Sequence, residues 1–443
     1  MKITAITLSI EKIPLRTPFI TALRHVEDVE NVRIAIHTDT PNIGYGAAPA
    51  TKAITGEDLQ SITRSIKKVI APKLVGETFE LPKLLKTLHA CCEGNSSAKA
   101  AVDMALYDLA SIANDSTLVA FLGGEPKSLR TAVTISLKTP QEMARDAKEA
   151  FGRGFDILKV KVGGRDGLDT ERIEAVRGAV PEARLLIDAN QAWSVYESLE
   201  IIKAISPLEI ELIEQPVDGH DLDGLKRITQ QSTIPILADE AVFTLEDAKK
   251  VIENKAADLI NIKLMKCGGI SKAIEIIEYC RGEGVKCMMG SMLEGPTSIA
   301  LTAQLVMAYA DAISHIDLDS PLLYKRIPTG TGLQFFNNTI ELEKEDFYML
   351  YMLECADGTL YTGIAKELEK RLDEHNNSPK GAKYTKARRP VALVYKEKHR
   401  SKSSALKREL EIKKMTRSQK EQLISLQYQV TSYVGFMHLW KNL

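Results

Sequence analysis

DILKVKV at 156–162, RLLIDAN at 184–190, IELIEQP at 210–216, IPILADE at 234–240, LINIKLM at 259–265, KCMMGSM at 286–292 and ISHIDLD at 313–319 are short apolar runs, each ending in polar residues. Helical stretches separate them. Lys161, Asp188, Glu214, Asp239, Lys263, Ser291 and Asp317 close the runs at intervals of 27, 26, 25, 24, 28 and 26 residues. A repeat of that length fits one strand, one helix and two loops. With the strand carrying Thr134 ahead of them, the seven units become eight. Eight is the count of a (β/α) barrel of the TIM type, whose active site lies at the C-terminal ends of the strands. One strand-end aspartate alone is more often a helix cap. Seven polar residues recurring in one phase are not accounted for that way.

Outward from the barrel, the texture changes on both sides. In residues 1–50, Ile6, Leu8 and Ile10 share a face at period two, as do Val32, Ile34 and Ile36, which predicts strands. Residues 58–72 and 97–113 read as helices, the second with a stripe of Val102, Leu106, Leu109 and Ile112. Residues 1–125 therefore read as an α+β unit and 126–345 as the barrel. Beyond it the charge reverses. Residues 347–443 hold 19 Lys+Arg against 10 Asp+Glu, while residues 1–346 hold 39 against 49. A boundary near 346 follows, and the basic part is the candidate for nucleic-acid contact.

Composition bounds the rest. The 443 residues are 44% apolar and 26% charged, a globular composition. No apolar run nears the ~20 residues of a membrane span, and Glu11 and Lys12 interrupt any signal layout at the N-terminus. The six cysteines show no CxxC spacing, which argues against zinc and a disulfide framework. A cytoplasmic protein with no membrane partner, and a homo-oligomer, are expected.

Asp188, Glu214 and Asp239 end three consecutive strands. Three carboxylates in one mouth do not all stay ionised without a cation. An all-oxygen set suits a hard divalent ion, and open positions for substrate oxygens suit Mg²⁺ better than Zn²⁺. Lys161 and Lys263 flank the trio. A lysine near its usual pKa of ~10.4 is a poor base. Lys159, on the same strand face, and a nearby metal would both depress Lys161. One base removes an α-proton, the metal stabilises the enediolate, and the opposite lysine returns a proton. The outcome is racemisation or epimerisation.

The motifs KVKVG (159–163), IDANQAW (187–193), IEQP (213–216), ADE (238–240), NIKLMKCGGIS (261–271) and DLD (317–319) resemble the dipeptide epimerases of the enolase superfamily, over residues 1–345. FITALR (19–24) and DLD resemble the members acting on L-Ala-D/L-Glu. The resemblance implies an N-terminal capping domain, a dipeptide substrate, and a place in the metabolism of peptidoglycan peptides. It implies Lys161 and Lys263 as acid/base lysines and Asp188, Glu214 and Asp239 as Mg²⁺ ligands. It also implies Asp317 and Asp319 on the dipeptide ammonium and Arg24 on the glutamate side-chain carboxylate. Thr134, Lys159, Ser291 and Leu293 would line the substrate site. The resemblance ends near IELEKE (340–345), where the family continues through a segment returning to the cap. Its loss is expected to loosen closure and lower activity.

The basic part opens with two strand-like runs, 347–355 and 359–364, flanking the hairpin signal ADG. Helices are expected at 365–375 and 404–424, with a basic loop at 380–390 between them. Tyr361-Thr362-Gly363, Arg371 and Glu409 resemble a GIY-YIG nuclease domain over 346–424; the first motif, Met349-Leu350-Tyr351, keeps only its tyrosine. The resemblance implies Tyr351 and Tyr361 orienting water, Arg371 on phosphate, Glu409 on Mg²⁺, and a nucleic-acid partner. A DNA-binding or inert fusion is the alternative. Residues 425–443 are unassigned.

Overall fold

Three antiparallel strands open the chain: β1 (Ile3–Ile20), β2 (His25–Thr38) and β3 (Ile43–Pro49), in that order in the sheet. Val32, Ile34 and Ile36 are buried, as the period-two pattern predicts. Ile10 is not; it is 63% exposed. It pairs with Val32 on β1, the outer strand, with no third strand beyond it. Under β3 lies the helix Ser96–Ala113, buried along Ser97–Ser111 rather than on one stripe. Its alanines let backbones meet: a Cβ on Gly46 would lie 2.0 Å from the Ala101 carbonyl oxygen. The first expected helix is broken into Leu59–Ser65, a π turn at Ile66–Ile70, and Ala71–Leu74.

The short strand β4 (Leu129–Arg130) leads out of this unit. Eight parallel strands follow: β5 (Val133–Ile135), β6 (Ile157–Lys161), β7 (Arg184–Asp188), β8 (Ile210–Glu214), β9 (Ile236–Ala238), β10 (Leu259–Ile262), β11 (Lys286–Gly290) and β12 (Ile313–Asp317). They lie in sequence order. The ring closes where Ala132 N donates to the Ile316 carbonyl at 2.8 Å. This is the expected TIM-type barrel of an α/β protein. Alternation along each strand gives it two levels. Ala132, Ile157, Leu186, Leu212, Leu237 and Met288, joined by Leu259, form an apolar plug. Two residues further along β7 and β8 stand Asp188 and Glu214, and Asp239 stands in the same relation to Leu237 just past β9.

A hairpin of β13 (Leu333–Phe336) and β14 (Thr339–Leu342) then pairs with β4. The expected absence of a returning segment is therefore corrected: residues 339–340 come back to the strand between the N-terminal unit and the barrel.

This computed structural model describes residues 1–22, 24–326, 332–343, 348–399 and 402–425. The boundary at 346 and residues 426–443 of the unassigned tail lie outside them. The chain divides into two compact units, Met1–Glu343 and Lys344–Leu443. The second has three antiparallel strands, β15 (Tyr348–Cys355), β16 (Leu360–Ala365) and β17 (Val391–His399), ordered β16-β15-β17. The helix Leu368–Asn377 falls close to its expected place, but β17 was not foreseen. The expected helix 404–424 is two. The first is Lys402–Lys414, and Thr416 starts the next: its hydroxyl accepts from Gln419 N at 3.3 Å and its N–H donates to Gln419 Oε1 at 2.9 Å.

Candidate active site

The strand order places Lys161, Asp188, Glu214, Asp239 and Lys263 around one rim. Asp188 and Glu214 are 0% exposed and Asp239 1%. Each expected base holds a different carboxylate. Lys161 Nζ lies 2.5 Å from Asp188 Oδ2, and Lys263 Nζ lies 2.5 Å from Asp239 Oδ2. Lys159 Nζ stands between strands, 3.0 Å from Asp188 Oδ2, 2.6 Å from Glu214 Oε2 and 2.8 Å from Asp317 Oδ2. The contact with Glu214 Oε2 lacks hydrogen-bond geometry and is charge against charge. Lys159 therefore spends its charge on three carboxylates.

Two further side chains complete the rim, and the sequence reading missed both. Lys266 Nζ lies 2.6 Å from Asp239 Oδ1 and also donates to the Asp239 carbonyl. Asn261 Nδ2 donates to Glu214 Oε1 at 2.8 Å. Their signal was spacing: Asn261 is two residues before Lys263 on β10, and Lys266 is one helical turn after it.

The charges set the ionisation. Burial works to raise Asp188, but Lys159 and Lys161 outweigh it and hold the carboxyl at about 2. Asp239 is driven low against its burial by Lys263 and Lys266. Glu214 is pushed up to about 7 by burial and by Asp188. Burial also opposes the Lys159 charge, yet the surrounding carboxylates lift that ammonium well above its ordinary value. Beside the trio, burial and Asp239 push Glu240 up to about 8.

A cavity opens above the rim, lined by Thr134, Ser291, Leu293, Asp317 and Asp319 from the barrel and by Phe19, Thr21, Arg24 and Ile54 from the N-terminal unit. Asp317 Oδ1 has no hydrogen-bond partner. Asp319 Oδ2 accepts from Thr134 N at 2.8 Å, and burial with Asp317 nearby pushes its carboxyl up to about 6. Ser291 bonds the Asp317 carbonyl. Burial lowers the Arg24 guanidinium to about 10, with the Phe19 ring 5.7 Å away. Among the described residues Arg24 has no carboxylate partner, so an anion is the group this pocket lacks.

In the second unit, Tyr351, Tyr361 and Arg371 gather around His375, another residue the sequence reading missed, and Glu409 lies near Tyr351. Tyr351 Oη lies 2.8 Å from His375 Nε2, and the Tyr361 ring is 5.1 Å from the imidazole. Burial raises the Tyr351 phenol to about 12 against the pull of Arg371, with Glu409 close enough to add to the rise. Burial and Arg371 hold His375 down at about 4. A Cβ at Gly363 would lie 2.7 Å from Tyr351 Oη, which is why the second motif needs its glycine. The signal for His375 was its place four residues after Arg371, on the same helix face.

Comparison with known proteins matches this geometry to two halves of one family. Residues 2–123 match the mandelate racemase / muconate lactonizing enzyme N-terminal domain, and 142–345 the enolase C-terminal domain-like family. An L-amino acid-D/L-Glu epimerase from Sulfurimonas denitrificans is 50% identical over 336 residues, 76% of this chain and 98% of that protein. This chain belongs to the dipeptide epimerases of the enolase superfamily. It is an isomerase. The substrate-liganded L-Ala-D/L-Glu epimerase from Bacillus subtilis superposes with a TM-score of 0.76 at 40% identity, covering 77% of this chain and 97% of that one. A dipeptide epimerase from Enterococcus faecalis, crystallised with Mg and L-Leu-L-Tyr, gives 0.74 at 35% identity, covering 77% and 98%. Residues 347–422 match the GIY-YIG catalytic domain, so the chain carries that domain at its C-terminal end. Among the described residues no helix is long and apolar enough to cross a membrane.

The rim suits a hard cation by its donors. Lys159 bridges Asp188 and Glu214, so those oxygens are no further apart than two short contacts laid end to end. Glu240 Oε2, Asn190 Oδ1 and Asn261 Oδ1 are buried and unbonded, which leaves acceptor capacity to spare. Among the described residues no three acidic or imidazole groups close on a point as they stand. Lysines fill the gaps between them.

Replacing Lys159 by Met removes the charge shared by three carboxylates. Stability in chelator, measured by urea denaturation, is expected to fall by about 3–5 kcal/mol. A loss under ~1 kcal/mol would mean the other lysines neutralise the rim without it.

Proposed function

We propose that the chain epimerises L-Ala-D/L-Glu by 1,1-proton transfer between two opposed lysines, in a Mg²⁺-dependent reaction. The observation that carries this reading is the pair of buried lysines, each 2.5 Å from a different member of one carboxylate trio. Asp188, Glu214 and Asp239 would hold the ion, which would supply electrostatic stabilisation for negative charge on the substrate carboxylate. Lys161 and Lys263 leave their carboxylates and face the α-carbon from two sides. One takes the proton as a neutral amine and the other gives one as an ammonium. Asp317 and Asp319 hold the dipeptide ammonium, Arg24 the glutamate side chain, and Thr134, Lys159, Ser291 and Leu293 line the site.

Incubation with L-Ala-L-Glu in D₂O tests this directly. Proton NMR is expected to show loss of the glutamate α-proton signal and appearance of the D-Glu epimer, both stopped by EDTA and restored by Mg²⁺. Lys161→Ala and Lys263→Ala should each abolish epimerisation, with rates down at least ~10³-fold, while each still exchanges one epimer. Full epimerase activity in both variants would reject the mechanism.

Arg24→Leu is expected to weaken kcat/KM for L-Ala-L-Glu by ~1.5–3 kcal/mol, as one charge-assisted bond is lost, with a much smaller change for an apolar dipeptide. Equal losses would remove Arg24 from specificity.

A second reading concerns the GIY-YIG domain, and the gathering of Tyr351, Tyr361, Arg371 and Glu409 favours it. We infer that it binds DNA and cuts it with Mg²⁺ held by Glu409. In the full chain, affinity measured by fluorescence anisotropy should fall ~10–100-fold between about 50 and 200 mM salt. Glu409→Ala should stop cutting and leave binding intact, because it removes a metal ligand and no positive charge. Mg²⁺-dependent cutting in that variant would show the metal lies elsewhere, and no affinity at low salt would leave an inert fusion.

A further inference from the structure

Each lysine of the proposed pair is followed by two glycines, and a buried aspartate accepts backbone N–H groups at the first pair and just beyond the second. After Lys161 come Gly163 and Gly164. Asp169 accepts from Gly163 N at 2.9 Å and Gly164 N at 3.2 Å. Asp169 is itself fixed by Trp193 Nε1 at 2.8 Å and Arg172 Nη1 at 3.1 Å. All of these residues belong to the barrel. The Lys263 side is built differently. A single helical turn, Leu264–Cys267, follows the lysine; the N–H groups of Lys266 and Cys267 donate to the Lys263 carbonyl at 2.9 and 3.2 Å. Gly268 and Gly269 both donate to the Leu264 carbonyl, and the long helix Ile270–Gly282 begins.

That helix has no side-chain cap from its own N-cap residue, Gly269. Its cap comes from Asp103 on the helix Ser96–Ala113 of the N-terminal unit. Asp103 Oδ1 accepts from Ser271 N at 3.1 Å, and Oδ2 accepts from the Ser271 hydroxyl. His89 Nε2 is shared, 3.1 Å from Asp103 Oδ2 and 2.9 Å from Ser271 Oγ. Asp103 is 0% exposed. Gly268 and Gly269 take φ of 101° and 122°, and a Cβ at Gly269 would lie 2.5 Å from Asp103 Cβ. Two glycines make a soft joint, and a soft joint holds its angle only if something fixes its far side. Asp103 does so, at Ser271, and the backbone of residues 264–270 carries that fixed point back to Lys263.

We propose that Asp103 is the positioning residue for Lys263, as Asp169 is for Lys161, so that the N-terminal unit controls proton transfer on one face of the substrate only. This rests on the two-lysine reading. A general loosening of the fold would slow both faces alike, whereas a misplaced Lys263 slows one.

The test is α-proton exchange in D₂O, followed by NMR from L-Ala-L-Glu and from L-Ala-D-Glu separately, with Mg²⁺. Lys263→Ala first identifies the epimer that needs Lys263. In Asp103→Ala, exchange of that epimer is expected to fall about tenfold or more while the other stays within about twofold. Asp169→Ala should give the reverse pattern. Ser271→Ala, which keeps the buried carboxylate and its bond to Ser271 N, should shift exchange in the Asp103 direction by less. It serves if Asp103→Ala does not fold, as judged by circular dichroism. Equal proportional loss of both epimers in the folded Asp103 or Ser271 variant overturns the proposal. If Lys161→Ala and Lys263→Ala each lose exchange of both epimers, the two-lysine reading falls and takes the proposal with it. If those two variants divide by epimer and Asp103→Ala does not, the positioning role alone is wrong.

Discussion

Charge balance in a dry pocket is the constraint on which the rest of this structure depends. Lys159, Lys161, Lys263 and Lys266 face Asp188, Glu214 and Asp239 where almost no water reaches. Any one of these groups left alone would be costly. Held together they need fixed positions, and neighbouring strand ends of a closed sheet supply them. The same balance makes the rim ready for a dication. Glu214 and Glu240 lie near neutrality at about 7 and 8, and an incoming double charge favours the ionised form of both.

The pocket is nevertheless not a property of the barrel alone. Phe19, Thr21, Arg24 and Ile54 reach it from the N-terminal unit. They differ in kind from the rim: the rim groups are paired with one another, whereas among the described residues the half-buried Arg24 has no carboxylate opposite it. On the proposed reading the chemistry belongs to the strand ends and the choice of side chain to residues of the N-terminal unit, Arg24 above all. The helix Ser96–Ala113 meets β3 by touching backbone, at Gly44 and Gly46, and reaches the barrel through Asp103 at Ser271.

The barrel was legible because its signal repeats. A polar residue that caps one strand says little, but seven in phase define a ring, and Lys161, Asp188, Glu214, Asp239 and Lys263 could be named from spacing. The spacing also marked Asp317, but its role, like Arg24 and Asp319 altogether, came from motif resemblance. What stayed hidden were residues whose meaning lies in a partner distant in sequence. Asp103 reads as one polar residue in an apolar helix, and nothing local connects it to Ser271. Asn261 and Lys266 were passed over as neighbours of Lys263. In the second unit β17 was missed because the run from Val391 to Tyr395 is short and passes into the consecutive charges Lys396, Glu397 and Lys398. The single helix expected at 404–424 hid a capping box, Thr416 to Gln419, that was written plainly in the sequence.

The two levels inside the barrel have an evolutionary consequence. The apolar plug around Leu186, Leu212 and Leu237 settles the architecture from below, and the residues that meet a substrate stand above it. Leu293, Ile54 and Arg24 line the cavity and none of them belongs to that plug. Relatives that share this ground plan are named for glutamate-containing dipeptides in one case and for hydrophobic dipeptides, at 36% identity, in another. A scaffold whose floor and doorway can vary independently is free to explore new clients at little risk to its own folding, and that separation makes the family's diversity intelligible as architecture.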